Sequence, residues 1–279
     1  VEHAPYTAIS GSPWPGSVAI YQSPTDTGFS LNTLVSARSS IGFTKTSLPR
    51  ARSGRVDVGP ALEVEMIHGT LESTSDTALL NGSNLVAIGD GSPDNWELLQ
   101  FRDAEMIAPG RYLLSHRLRD QLGSDSVGPE VWPEGSWIVV MNGAPSQIEL
   151  ARNLRRVAQT YRVGPSRRSY DDPSYEEFVL AFDGNGLRPY RPVHLRAQRN
   201  GAQLDVSWIR RTRLDGDDWD LPDVPLAEDS ESYTVRVLQN AGVMHEEVVN
   251  AQSWTYNDVD RIADGVTGQF SIAVAQNSA

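Results

Sequence analysis

The densest group of residues able to do chemistry lies between Asp215 and Glu231, where "DGDDWDLPDVPLAEDSE" carries eight carboxylates. Oxygen ligands at that density could cage a hard cation. A helix-loop-helix calcium loop, however, needs carboxylates at alternate positions, a Gly at the sixth and a Glu at the twelfth. Counted from Asp215, the fifth position is Trp219, the sixth Asp220 and the twelfth Leu226, so the register fails. A solvated loop fits better, its acids balanced in part by Arg210, Arg211 and Arg213 just before it. The chain has 36 acids, and none stands out as one of a catalytic pair, because such a pair is defined by separation in space.

Other chemistries find less. The five histidines, His3, His68, His116, His194 and His245, share no metal-binding spacing. "GDGSPD" (89–94) has two glycines of a phosphate loop, lacks the third, and runs into a Pro-Asp turn where a helix should open. No Gly-x-Ser-x-Gly elbow occurs. "NGS" (81–83) fits a glycosylation sequon, and an Asn-Gly turn explains it better. Among seven tryptophans, Trp208 lies in an alternating strand and belongs in a core. Trp14, between two prolines, and Trp132, before Pro133, fall in turns and are expected to be exposed, where they could contact a glycan. Turn aromatics also commonly pin loops to their domain. No cofactor and no metal site is expected.

The elements that must position these residues are strands. Period-two alternation marks "SVAIYQS" (17–23), "ALEVEMIHG" (61–69), "NWELLQFRDAEMI" (95–107), "RYLLSHRL" (111–118) and "SWIVVMN" (136–142). Gly/Pro/Asn/Asp turns separate them, the pattern of a β-barrel or sandwich. Residues 146–163 read as either helix or strand, with strand preferred. Residues 164–191, rich in Pro, Gly, Asp and Ser around a strand-like "EEFVLAF", read as a linker ending in a boundary near 188. A compact β-module follows over 192–279, with Leu204, Val206 and Trp208 on one strand face and Tyr233, Val235 and Val237 on another. The expectation is thus an all-β protein, with a barrel or sandwich over 1–163 and a second sandwich at 192–279.

Composition limits function. A net charge of −12, with Lys45 the only lysine, opposes sequence-specific binding to nucleic-acid phosphate. The absence of cysteine excludes disulfides, thiolate metal sites and Cys nucleophiles. The longest apolar run is Trp137 to Met141, far short of the ~20 residues of a membrane helix, so stable membrane insertion is not expected. The chain opens on Val1 without signal-peptide features and reads as a piece of something longer.

The second module resembles a fibronectin type III domain through "LDVSW", "YTVRV" and the ending "FSIAVAQNSA". It departs in its long connection from Arg211 to Ser232 and in stopping where a seventh strand should begin. "SWIRRTRLDGDDWDLPDVPLAEDSESYTV" and the upstream run from "IGFTKTSLPRARSGRVDVGP" to "YLLSHRLRDQLG" resemble the C-terminal portion of host-specificity, or tail-tip, proteins of gene transfer agents and related long-tailed phages. That resemblance implies a structural baseplate part, trimeric about the tail axis and contacting other tail proteins. It also implies a role in host attachment and in DNA delivery, with DNA passing without sequence-specific binding. A carbohydrate-binding module for cell-surface polysaccharide is the alternative. No enzymatic activity is expected, since the glycosidase-like barrel of that family would lie elsewhere in the full-length protein.

Overall fold

The computed structural model describes residues 2–216, 220 and 223–278; Asp217, Asp218, Trp219, Leu221 and Pro222 of the acidic stretch lie outside the described residues. Strands make up 43% of the chain and helix 8%, so the protein is all-β. It divides into two compact units, Val1–Gly186 and Leu187–Ala279.

The longer strands of the first unit are, in chain order, β1 (Val18–Ser23), β2 (Ser30–Val35), β3 (Ile41–Thr44), β4 (Leu62–His68), β5 (Leu85–Gly89), β6 (Trp96–Ala108), β7 (Arg111–Leu118), β8 (Trp137–Val140), β9 (Gln159–Pro165) and β10 (Glu176–Leu180). Six of them close into a barrel in the order β7-β4-β3-β8-β5-β6, with β6 pairing back onto β7. Closure leaves none of these strands with a free edge, the costliest feature of an open sheet. Alternation fills the interior: Leu62, Val64, Val86, Ile88, Leu99, Phe101, Tyr112, Leu114 and Ile138 are each no more than 1% exposed and form one cluster.

The alternation breaks near the end of β7. From Tyr112 and Leu114 a strict period of two would turn His116 and Leu118 inward. Instead His116 adopts φ +50°, the phase slips, and Arg117 and Arg119 enter the interior at 1% exposure each. β6 slips at the same level, between inward Phe101 and Ala104, which keeps the register Leu114–Ala104 and Arg117–Phe101 intact.

β10-β9-β1-β2 form a separate four-stranded antiparallel sheet. Its inner face buries Ile20, Val35 and Tyr161 with Ile148, Leu150 and Phe182. This corrects the reading of 164–191 as a linker. Residues 164–186 belong to the first unit, with the whole of β10 paired to β9, from Gln159–Leu180 to Val163–Glu176. Gly164 is what lets the polar segment pack down, since a side chain there would drive into the Tyr175 ring. In the ambiguous 146–163 stretch only the end is a long strand; Arg152–Leu154 is a 3-10 turn.

The second unit has β11 (Val193–Asn200), β12 (Gln203–Ile209), β13 (Tyr233–Gln239), β14 (Gly242–Val249), β15 (Ser253–Asn257) and β16 (Ser271–Gln276). They make two three-stranded antiparallel sheets, β11-β12-β15 and β14-β13-β16. Both sheets contribute to one cluster of Val206, Trp208, Tyr233, Val235, Val237, Trp254, Tyr256 and Val266. Trp208 meets Tyr233 edge-on at 5.2 Å, and Trp254 stacks on Tyr256 at 5.1 Å.

Candidate functional site

The chemistry concentrated inside the barrel is ionic. Arg119 clasps Glu97 with two parallel bonds, Nε to Oε1 at 2.6 Å and Nη2 to Oε2 at 2.8 Å, and donates Nη1 to the Pro49 carbonyl at 2.8 Å. Trp132 Nε1 donates to Glu97 Oε2 at 2.7 Å. Arg117 grips Asp57 Oδ2 through Nε (3.0 Å) and Nη2 (2.8 Å), and its Nη1 donates to the Pro60 and Leu114 carbonyls. Burial pulls the Asp57 carboxyl up, but the Gly59 amide and Arg117 outweigh it and leave the group below its ordinary range. Asp120, which accepts from Ser53, goes the other way, because burial dominates. Glu97, Asp57 and Asp120 each face a guanidinium, a hydroxyl or an indole N–H. The physical role of this set is to fasten the loops at 49–60 and 119–132 to the barrel wall.

A second constellation brings Ser, His and Asp together. Asp103 accepts from Ser115 Oγ at 3.1 Å and meets His116 Nδ1 at 2.7 Å, while Arg102 binds it through two nitrogens. A nucleophilic triad needs the serine on the imidazole nitrogen opposite the carboxylate. Here Ser115 lies on the same Nδ1, at 3.3 Å, so the set cannot relay a proton from Ser115 and serves instead to pin the left-handed turn at His116. Arg102 foremost, then Ser115 and His116 against a burial penalty, hold Asp103 at about 2. Its contribution to stability is therefore complete above the ordinary aspartate pKa near 4 and is lost as pH falls through about 2. Acid melts of the wild type are expected to show extra loss of stability in that window relative to Asp103→Asn; parallel curves would exclude the effect.

The predicted acidic loop keeps its counter-charges. Arg210, 8% exposed, pairs with Asp223 at 2.6 Å and approaches Glu231 at 3.8 Å, and Glu231 in turn accepts from the Tyr233 hydroxyl at 2.7 Å. Arg213 binds Glu228 at 3.1 Å and the Ala227 carbonyl at 2.9 Å. The Arg211 guanidinium lies over the Tyr190 ring at 5.1 Å. Trp208 and Tyr233 are core residues, and the loop is tied to that core through Arg210, Glu231 and Tyr233. Among the described residues no group of three or more His, Asp or Glu is arranged to hold a metal ion.

One expectation for the tryptophans is overturned. Trp132 is 1% exposed, drawn into the barrel by apolar neighbours and by Glu97, and offers no face to a sugar. Its proline-flanked position gave no hint of this. Trp14 is half-buried. The outer face of β11-β12-β15 has a shallow hollow of about 380 Å³ lined by Arg196, Gln198, Asp205, Ser207, Ser253 and Thr255 among others. Asp205 there is already engaged by Thr255, Gln203 and Asn200.

Residues 39–139 match the model of the family described as Rcc01698-like, C-terminal. That segment is similar to part of a gene transfer agent-associated protein. The match covers just over a third of the chain and coincides with the barrel, from two residues before β3 to the last residue but one of β8. It therefore encloses Glu97, Arg117, Arg119 and Trp132, and it stops short of the second unit. A search of curated proteins gave no match.

Proposed function

We propose that the protein is a structural component of a phage-like tail tip of the gene-transfer-agent kind, taking part in host attachment and DNA delivery. The observation that carries this is the family match over the whole barrel. The architecture supports it: a closed barrel locked by buried ion pairs suits a load-bearing part. In the second unit, the sheet orders β11-β12-β15 and β14-β13-β16 support a fibronectin type III-like module represented by six strands. Neighbouring tail proteins, a trimer about the tail axis and a receptor or polysaccharide on the recipient cell are the partners this reading requires. The net charge of −12 favours DNA passing without adhering, since like charges repel within the Debye length of about 8 Å at physiological salt. Catalysis on the cell wall is assigned to other parts of a full-length protein.

The test is to label the protein in purified particles and to delete its coding segment from the producing cell. Expected are a signal at the tail end and particles that package DNA but no longer transfer it. Label absent from particles, or unimpaired transfer after deletion, would refute the proposal.

A further inference from the structure

His245 is a partly buried titratable group that neither the barrel's ion pairs nor the tail reading uses. It stands on β14 directly opposite Val237, a wholly buried residue of β13, so its ring points into the sandwich. There it meets the other sheet. The ring centroid lies 5.7 Å from that of Trp254 and 5.6 Å from that of Tyr256, both on β15. The side chain is 25% exposed, yet its Nε2 is buried and has no hydrogen-bond partner.

Two carboxylates face the ring, one at each nitrogen. Asp264, which follows the short helix Asp258–Ala263 as its C-cap, places Oδ2 3.0 Å from Nδ1. Glu247, two residues along β14, places Oε2 3.6 Å from Nε2. Both acids are held by the opposite sheet: the Tyr256 hydroxyl donates to Asp264 Oδ2 and Trp254 Nε1 donates to Glu247 Oε2, each at 2.7 Å. Burial, then Asp264, push the Tyr256 phenol up, so it stays a neutral donor. Asp260 and Arg261 on the helix act on that phenol with opposite signs, and Arg261 is bound to Asp258 at 3.0 Å. On the other face of β14, Glu246 is paired with Arg236.

An imidazole with one proton cannot satisfy this arrangement. Whichever nitrogen carries the proton, the other turns a lone pair toward a carboxylate oxygen. The imidazolium has an N–H for each acid, and its charge suits the two neighbouring aromatic rings. We propose that His245 is a proton-operated clamp between the two sheets of the second unit. Protonation closes it: the ring holds Asp264 and Glu247 together, and through them Tyr256 and Trp254 of β15. These contacts exist only in the folded unit, so folding is favoured by the protonated ring. The sign follows. The clamp's stabilisation is present on the acid side of the ordinary imidazole range, about pH 6.5, and is lost as rising pH removes the proton. It also ends near about pH 4, where the two carboxylates themselves protonate. The inference rests on the second unit alone and does not depend on the tail reading.

Amide hydrogen exchange of the full chain, read by mass spectrometry at about pH 5.5 and about pH 8 and corrected for intrinsic exchange rates, tests it. Peptides covering β14 and β15 are expected to be protected about tenfold more at the lower pH. His245→Gln keeps a hydrogen-bonding side chain without the titration, and Glu247→Gln keeps an acceptor for Trp254 without the charge. Each is expected to lose that difference. His194→Gln, on an exposed residue of β11 outside the cluster, is expected to retain it. Glu247→Gln decides the matter if His245→Gln does not fold. Protection in the wild type that is equal at both pH values, or greater at the higher one, would overturn the proposal. So would a pH difference that persists in the variants, or a loss of protection in them that is the same at both pH values, the mark of a merely structural role.

Discussion

Glu97→Ala is expected to destabilise the first unit by about 3–5 kcal/mol, the range for removing one partner of a buried ion pair. Glu97 and Arg119 are 2% and 1% exposed, so the guanidinium would stay buried with only Asp57 at 3.4 Å and the Pro49 carbonyl as partners. Trp132 Nε1 loses its acceptor in the same step, and so does the Asp120 amide. Glu97→Gln, which keeps a hydrogen-bond acceptor but not the charge, is expected to fall between. Replacing the pair together, Glu97→Leu with Arg119→Met, is expected to recover much of the loss, because two apolar groups of similar volume leave no uncompensated charge. Denaturant melts followed by tryptophan fluorescence measure all three. A loss under about 1 kcal/mol for Glu97→Ala would mean that Arg119 finds a new partner at little cost.

Trp208→Ala is expected to cost the second unit about 3–5 kcal/mol, the range for deleting a large buried aromatic. Trp208 is 3% exposed and edge-on to Tyr233, itself wholly buried. The cavity would form under the residue that anchors the acidic loop, because the Tyr233 hydroxyl holds Glu231 and Arg210 lies against Glu231. Proteolysis within 211–232 is therefore expected to accelerate alongside the drop in stability. A change near zero would place Trp208 outside the core.

What alternation can express was legible in the sequence. Strands at 62–68, 96–108 and 111–118, and the inward set Val206, Trp208, Tyr233, Val235 and Val237, follow from a period of two. Arg210 and Arg213 could be matched to nearby acids because those pairs are local in the chain. The barrel's ionic core was not legible, for a specific reason. It depends on His116 taking a left-handed conformation that turns Arg117 and Arg119 inward, whereas "RYLLSHRL" read as uninterrupted alternation puts charges outside. Trp132 was misplaced because its partner, Glu97, is 35 residues away.

The position of β8 determines when the barrel can form. β3, β4, β7, β6 and β5 can pair into an open sheet, but β8, the last of the six in sequence, is inserted between β3 and β5. Phe43 meets Trp137 across that seam, and the chain between them must be gathered first, which makes closure a long-range and comparatively slow event. During synthesis β3 and β5 wait with unpaired edges until β8 has emerged, the interval in which strand-edge association competes with folding. The four residues Trp137–Val140 thus supply the strand that turns an open-edged sheet into a sealed one.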